Sequence, residues 1–309
     1  MPALRLFISL ALIVWVAQLA DITALKLLWD RLDPTILLLV ILFVLATMLT
    51  GLWRWWFILC RTGLLTSFYV LLPGYFVGVF FNNIMPVTIG GDIARTVYLH
   101  RRGFALQPLV TSAILDRWFG LLSILFVVAI TSLLWPHRLG LIQDVFFLVA
   151  LISVAGMGVI YSFSKKIGKF NTSFKNKTIE TVLAWIITQF DYFVKFRQSF
   201  SFIVSMVLLS AVSQAFVLMA YFLLGRSLGV TIPFVDYLVV VPAIMLLQTL
   251  PVSAAGLGVR EAASVWLFTV AGVSQQHAVL MSVMMLGTLW VVAVPGGLVA
   301  LFGRWTRRM

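Results

Sequence analysis

Residues 82–95 read Asn-Asn-Ile-Met-Pro-Val-Thr-Ile-Gly-Gly-Asp-Ile-Ala-Arg, and this stretch decides what kind of membrane fold the chain can have. Pro86 removes a backbone donor, and Gly90 and Gly91 let the chain turn where other residues would clash. Asp92 and Arg95 stand three apart, so on a helix they share one face. From Val87 to His100 there are 14 residues, about 21 Å of helix at 1.5 Å per residue. A bilayer core is about 30 Å thick, so this segment predicts a re-entrant hairpin rather than a span. Irregular backbone at that depth must be buried in protein or line a wet cavity.

A second window has the same character. Residues 250–260 read Leu-Pro-Val-Ser-Ala-Ala-Gly-Leu-Gly-Val-Arg. Without gaps, Pro251 falls on Pro86, Ser253 on Thr88, Gly256 on Gly91 and Arg260 on Arg95, an offset of 165 residues. Glu261 follows directly, and Gly258 adds a second flexible point. Gln248 precedes this break much as Asn82 and Asn83 precede the first. These three amides suit either headgroup binding or capping of helix ends. A helix that begins at such a break aims its N–H groups and positive dipole end at the break, which favours an anion.

Outward from these windows the chain is almost continuously apolar. Of 309 residues, 62% are hydrophobic and 10% charged, with mean hydropathy +1.09. Soluble domains run near about 45–50% apolar and about 25% charged, so lipid must be the main solvent. Full spans are predicted over about 4–22, 34–55, 108–134, 142–163, 199–224 and 277–302. The first is read as a retained helix, since Gln18 spoils a signal-cleavage pattern. The fold class expected is an all-α polytopic membrane protein with about six full spans and two re-entrant or broken helical hairpins. Residues 1–309 form a single transmembrane domain, with halves at 1–134 and 142–309. Three spans separate the hairpins, and an odd number inverts one half relative to the other. Inverted repeats with broken helices at their interface mark transporters.

Charge placement predicts the orientation. With both termini cytoplasmic, 15 Lys and Arg face inward, Arg54 among them, and 4 face outward: Lys26, Arg31, Arg138 and Arg226. Arg95, Arg117 and Arg260 are assigned to membrane depth. This bias accounts for the net charge of +12 without a nucleic-acid partner, and points to a multi-pass protein of the cell inner membrane. A basic loop and an amphipathic helix over 164–198 suit contact with the cytoplasmic leaflet. Trp53, Trp55, Trp56, Trp135 and Trp305 fit aromatic belts. The single cysteine, Cys60, excludes an internal disulfide.

Six ionisable residues fall at apparent membrane depth: Asp92, Arg95, Asp116, Arg117, Arg260 and Glu261. Each unpaired charge there costs at least about 2.5–3.5 kcal/mol. The set is formally neutral, so pairing is expected. Asp116 should meet an arginine of the broken segments, and Arg117 should meet Asp92 or Glu261. Arg95 and Arg260 are the phosphate-binding candidates, since guanidinium matches phosphate oxygens bidentately. Asn82, Asn83, Thr88, Ser253 and Gln248 complete the candidate substrate site. Asp92, Asp116, Arg117 and Glu261 would balance charge or couple to protons. Pro86, Gly90, Gly91, Pro251, Gly256 and Gly258 are the backbone breaks.

No enzyme is indicated. His100, His137 and His277 lack metal-ligand spacing, and no phosphate loop, dinucleotide fingerprint or serine elbow occurs. Gly91 to Arg95 faintly resembles the CDP-alcohol phosphotransferase signature, but the aspartates that signature needs downstream are missing. Neither metal nor cofactor is expected.

Taken together, three motifs resemble the lysylphosphatidylglycerol synthase transmembrane-region (flippase-like) family. They are Asn82 to Arg95, Asp116-Arg117-Trp118-Phe119-Gly120 and Pro251 to Glu261. The family more often carries Glu where Asp116 stands. The chain lacks the soluble aminoacyl-transfer domain of the bifunctional members, so the resemblance implies a membrane module handling polar lipids rather than lysine transfer. The leading expectation is a flippase moving a phosphate-bearing lipid. The alternatives are a partner that presents lipid to a separately encoded glycosyltransferase or lipid synthase, and an intramembrane lipid-modifying enzyme.

Overall fold

Asp33 and Pro34 start the first long span. The Asp33 side chain accepts the Thr35 N–H at 2.8 Å, and Pro34 takes the first helical position, where a missing N–H does no harm. The structure, a computed structural model, describes residues 2–19, 33–85, 89–134, 200–249 and 258–303, with a few isolated positions between. The expected span at 142–163 lies almost wholly outside the described residues, and the amphipathic segment at 164–198 entirely so. So do Pro86, Thr88, Pro251, Ser253 and Gly256.

Nine helices are described: α1 (Pro2–Gln18), α2 (Pro34–Arg61), α3 (Phe68–Ile84), α4 (Gly90–Arg101), α5 (Leu106–Leu134), α6 (Phe200–Ser227), α7 (Phe234–Gln248), α8 (Val259–Val270) and α9 (Gln275–Phe302). Four of them (α2, α5, α6 and α9) are long and apolar enough to cross a membrane. On α2 the stripe Val40, Val44, Leu52, Trp55 and Leu59 is buried, while Leu38, Leu42, Leu49 and Trp53 are exposed. A helix apolar on both its inner and its outer face is one whose outer solvent is hydrocarbon. The chain is therefore an all-helical polytopic membrane protein.

The remaining core helices are short. α3 has 17 residues, α7 has 15, and α4 and α8 have 12 each. At 1.5 Å per residue even α3 is only about 25 Å long, below the about 30 Å of a bilayer core. They fold back in pairs. A Cβ on Gly78 would stand 2.8 Å from the Gly91 carbonyl, and one on Gly74 would stand 3.1 Å from both Tyr98 and Leu99. Moving back along α3 thus means moving forward along α4, so the two are antiparallel arms of one hairpin. In the second pair the Tyr237 ring, near the start of α7, meets Phe268, near the end of α8, at 5.5 Å.

The two quartets α2–α5 and α6–α9 repeat one design. Gly63 and Gly229 both turn with positive φ, at 91° and 79°, and are 166 residues apart. Leu64 and Val230 then donate back to Leu59 and Gly225, again 166 apart. After the breaks, Gly103 and Gly272 turn at φ 93° and 94°, now 169 residues apart. Phe104 and Val273 donate to Leu99 and Phe268 with the same spacing. The connection between hairpin arms is the longer one in the second quartet, Thr249–Gly258 against Met85–Ile89. Helix register therefore overrides the ungapped offset of 165. It places Asp92 opposite Glu261, each third in its helix, and leaves Arg95 and Arg260 in unequal positions.

The quartets also run in opposite directions. Phe43 meets Phe216 with ring centroids 5.9 Å apart, Thr47 and Ser213 exchange hydroxyl-to-carbonyl bonds at 3.4 Å, Arg54 donates to Ser210 at 2.7 Å, and Arg61 lies over Phe202. Numbers rise on α2 as they fall on α6, so these corresponding helices are antiparallel. The packing scheme survives exchange of the quartets: α3 packs on α9 as α7 packs on α5, and α2 on α9 as α6 on α5. A two-fold relation across the α2–α6 contact follows, and the hairpins approach from opposite ends of the bundle.

Candidate functional site

The described arms of the two hairpins line one cavity of about 620 Å³. Asn82, Asn83, Gly91 and Asp92 reach it from the first hairpin, and Gln248, Thr249 and Arg260 from the second. Between them the long helices contribute Thr47, Arg54, Asp116, Arg117 and Tyr221, with apolar walls that include Val44, Ile124, Ile244 and Met285.

The first hairpin is held by a chain of alternating charge. Arg54 Nε donates to Asp116 Oδ1 at 2.7 Å. Asp116 Oδ2 accepts from Arg95 Nη2 at 3.2 Å, and the same nitrogen reaches Asp92 Oδ1 at 2.7 Å. Asp92 Oδ2 closes the series with Arg117 Nε. Both pairs expected for Asp116 and Arg117 thus form. Arg95 is the hub, 4% exposed, with its guanidinium 4.2 Å from the Trp55 ring centroid and its Nε without a hydrogen-bond acceptor among the described residues. Arg117 keeps 38% of its side chain exposed.

The second hairpin has a shorter arrangement. Arg260 donates through Nε and Nη2 to Glu261 Oε1 at 2.9 and 2.5 Å. The other Glu261 oxygen accepts the Gly258 N–H at 2.7 Å and so caps α8. A parallel cap closes the first break, where Asn82 Oδ1 accepts the Gly91 N–H at 2.9 Å. Asn82 therefore acts as a cap as well as a lining residue. At each break one backbone N–H expected to face an anion is already bonded by the chain itself. The guanidinium groups lining the cavity add capacity for an anion.

Two sequence expectations are corrected here. Arg54 is not a cytoplasmic loop charge. It sits two turns inside the C-terminal end of α2, bonded to Asp116 and Ser210 and lining the cavity. Its addition changes the tally at depth from three against three to four arginines against three carboxylates, a net charge of +1. Trp55 is not part of an aromatic belt. It is fully buried, donates Nε1 to Ser112 at 3.0 Å and forms the surface on which Arg95 lies. The sequence Trp53-Arg54-Trp55-Trp56 resembles an interface anchor, which hides both roles. The signal that would have separated them is burial period: Leu52, Trp55 and Leu59 share the inner stripe of α2, while Trp53 is 49% exposed.

Glycines set how closely the first hairpin closes. A Cβ on Gly91 would collide with the Gly78 carbonyl and the Asn82 amide, and one on Gly90 with Met85. Gly120, the last residue of the Asp116–Gly120 motif, leaves the Arg54 guanidinium 3.5 Å from where a Cβ would be. Among the described residues no group of His, Cys, Asp and Glu could hold a metal ion.

Comparison with known proteins agrees with this architecture. Residues 3–296 match the family model of the lysylphosphatidylglycerol synthase TM region. A UPF0104 membrane protein of Pyrococcus horikoshii is 25% identical over 303 residues, covering 89% of each chain. The chain belongs to the lysylphosphatidylglycerol synthase TM-region family.

Proposed function

We propose that this family member carries an anionic, phosphate-bearing lipid headgroup through the central cavity, between the two leaflets of the cell inner membrane. The observation that carries the reading is the cavity itself, where hairpins from opposite ends of the bundle converge on four arginines and three carboxylates. A surplus of one positive charge in low dielectric favours a single anionic group over a zwitterion or a cation.

The roles divide unequally. Arg260 and Arg117 receive the phosphate, since each lines the cavity, and Arg117 keeps 38% of its side chain exposed. Arg95 positions the first hairpin, its Nη2 shared between Asp92 and Asp116. Those two acids and Glu261 balance charge. Asn83 and Gln248 supply amide donors for headgroup oxygens. The first hairpin is tied to α2 and α5 by ion pairs, whereas Arg260 of the second pairs within its own helix. The second hairpin is accordingly the arm that moves as access alternates.

The test is reconstitution into vesicles with a fluorescent anionic phospholipid and a membrane-impermeant quencher. The wild-type protein moves the probe to the quenched leaflet, and Arg260→Gln slows this about tenfold or more, the cost of about 1.4 kcal/mol lost from a charge-assisted contact. Absence of movement by wild type, with and without a proton gradient, overturns the proposal. Tight lipid binding without movement would instead favour a protein that presents lipid to a separate enzyme.

A further inference from the structure

Consecutive residues of the second hairpin face two different compartments. Gln248 and Arg260 line the polar chamber, while their neighbours Leu247 and Val259 line a separate groove of about 320 Å³. Its other described walls are Leu12 and Trp15 of α1 and Ala262, Ala263 and Trp266 of α8, so every described lining side chain is hydrocarbon or indole. The indoles flank it, Trp15 41% exposed and Trp266 45%.

Gly258 lets α1 come this close. It has φ +81°, and a Cβ there would stand 2.7 Å from the Ser9 carbonyl and 2.9 Å from the Leu12 Cβ. The close approach of α1 to the start of α8 gives the groove a second side, while its outer side stays open. Neighbouring residues on a helix point about 100° apart. The ends of α7 and α8 therefore present polar side chains on one face and hydrocarbon on another. An amphipathic lipid presents that same division.

We infer that the groove is a tail site, taking one hydrocarbon chain of the anionic lipid whose headgroup occupies the chamber. The inference rests on the headgroup reading above. A tail gains little on leaving bilayer hydrocarbon for protein hydrocarbon, since only packing distinguishes them. The groove therefore does not recruit a lipid by itself. The headgroup at Arg260 selects the lipid, and the groove fixes the direction in which its tail leaves the chamber. Occupancy of the groove must then depend on headgroup charge, although none of the described residues lining it is charged.

The test uses the full chain in phosphatidylcholine vesicles with a trace of phospholipid carrying a photoreactive diazirine in its tail. One probe has a phosphatidylglycerol headgroup and the other a phosphatidylcholine headgroup. Labelled peptides from α1 and α8 are quantified by mass spectrometry. The anionic probe labels them about fivefold more, the discrimination of one arginine for an anionic lipid. Arg260→Gln abolishes the preference. Ala262→Phe, which fills the groove, also abolishes it, while dihexanoyl phosphatidylglycerol, too short to use the groove, still raises the melting temperature as in wild type. Trp266→Ala, which opens one wall without adding bulk, weakens the preference if Ala262→Phe fails to fold.

Equal labelling by the two probes in wild type, with stabilisation by the short lipid intact, overturns the tail site and leaves the headgroup reading standing. A preference that persists unchanged in both groove variants overturns it as well. If the short lipid does not stabilise wild type and no labelling preference appears, the headgroup reading fails and the tail site with it.

Discussion

Arg95 shows why charge at membrane depth has to be read as a network. Its guanidinium is buried on Trp55, and both of its acidic partners are shared with another arginine. Removing one partner of a buried pair costs about 3–5 kcal/mol, because the other charge is left in low dielectric. Asp116→Asn leaves Arg54 and Arg95 short of a counter-charge together, and is expected to lower stability by about 3 kcal/mol or more. Arg117 has a partly exposed side chain, and Arg117→Gln is expected to cost about 1 kcal/mol or less. Thermal unfolding in one mild detergent compares the two, and equal losses would mean that the charges do not form one graded series. The pairing of Asp116 and Asp92 was legible in sequence because acids and arginines in an apolar chain have few other options. Arg54 was not, since an arginine among tryptophans near a helix end has the composition of an interface anchor. Only the third dimension brings Asp116 and Ser210 to it.

At the scale of elements, the hairpins depend on backbones in near contact. Gly78 and Gly91 face each other, and a methyl group on Gly91 has no free space to enter. Gly91→Ala is expected to cost about 1–3 kcal/mol by overpacking, and to impair transport by displacing Asp92 from Arg95. Gly287, exposed in the middle of α9 with nothing within 4 Å of the place a methyl group would take, is the control. Gly287→Ala is expected to be neutral or stabilising by up to about 1 kcal/mol, since alanine is the better helix former. Melting temperature and vesicle transport of both variants check the contrast, and a Gly91→Ala protein as stable and active as wild type would refute it. The breaks themselves were readable from Pro86, Gly90, Gly91 and the short segments that follow. Their register was not. The ungapped match is set by Pro and Arg identities, whereas the helices begin where Asn82 and Glu261 cap them. The second connection is longer, so matching letters fall at unequal helical positions, and the residues in structural correspondence are the dissimilar pair Asp92 and Glu261.

At the scale of the whole molecule, the antiparallel contact of α2 with α6 is the feature from which opposite hairpins follow. Each of α2 and α6 is followed by a tight turn, a hairpin that returns to the side it left, a second tight turn and another long helix. The turns after α4 and α8 must then lie on opposite membrane faces, because α2 and α6 reach their C-terminal ends on opposite faces. Alternating access needs this arrangement, since each hairpin can close one face only. Ala105 and Gln275 are exposed positions just after those turns. In a Cys60→Ala background, Ala105→Cys and Gln275→Cys are expected to react with a membrane-impermeant thiol reagent from opposite sides of sealed vesicles. The positive-inside bias predicts that Ala105 is on the cytoplasmic side. Moving Arg54 into the membrane interior leaves 14 inward-facing basic residues against 4, which preserves that orientation. Both positions labelling from one side would break the two-fold relation between the quartets. Labelling from opposite sides with Ala105 outermost would keep the inverted architecture and reverse only its orientation, so the experiment separates a claim about packing from a claim about topology.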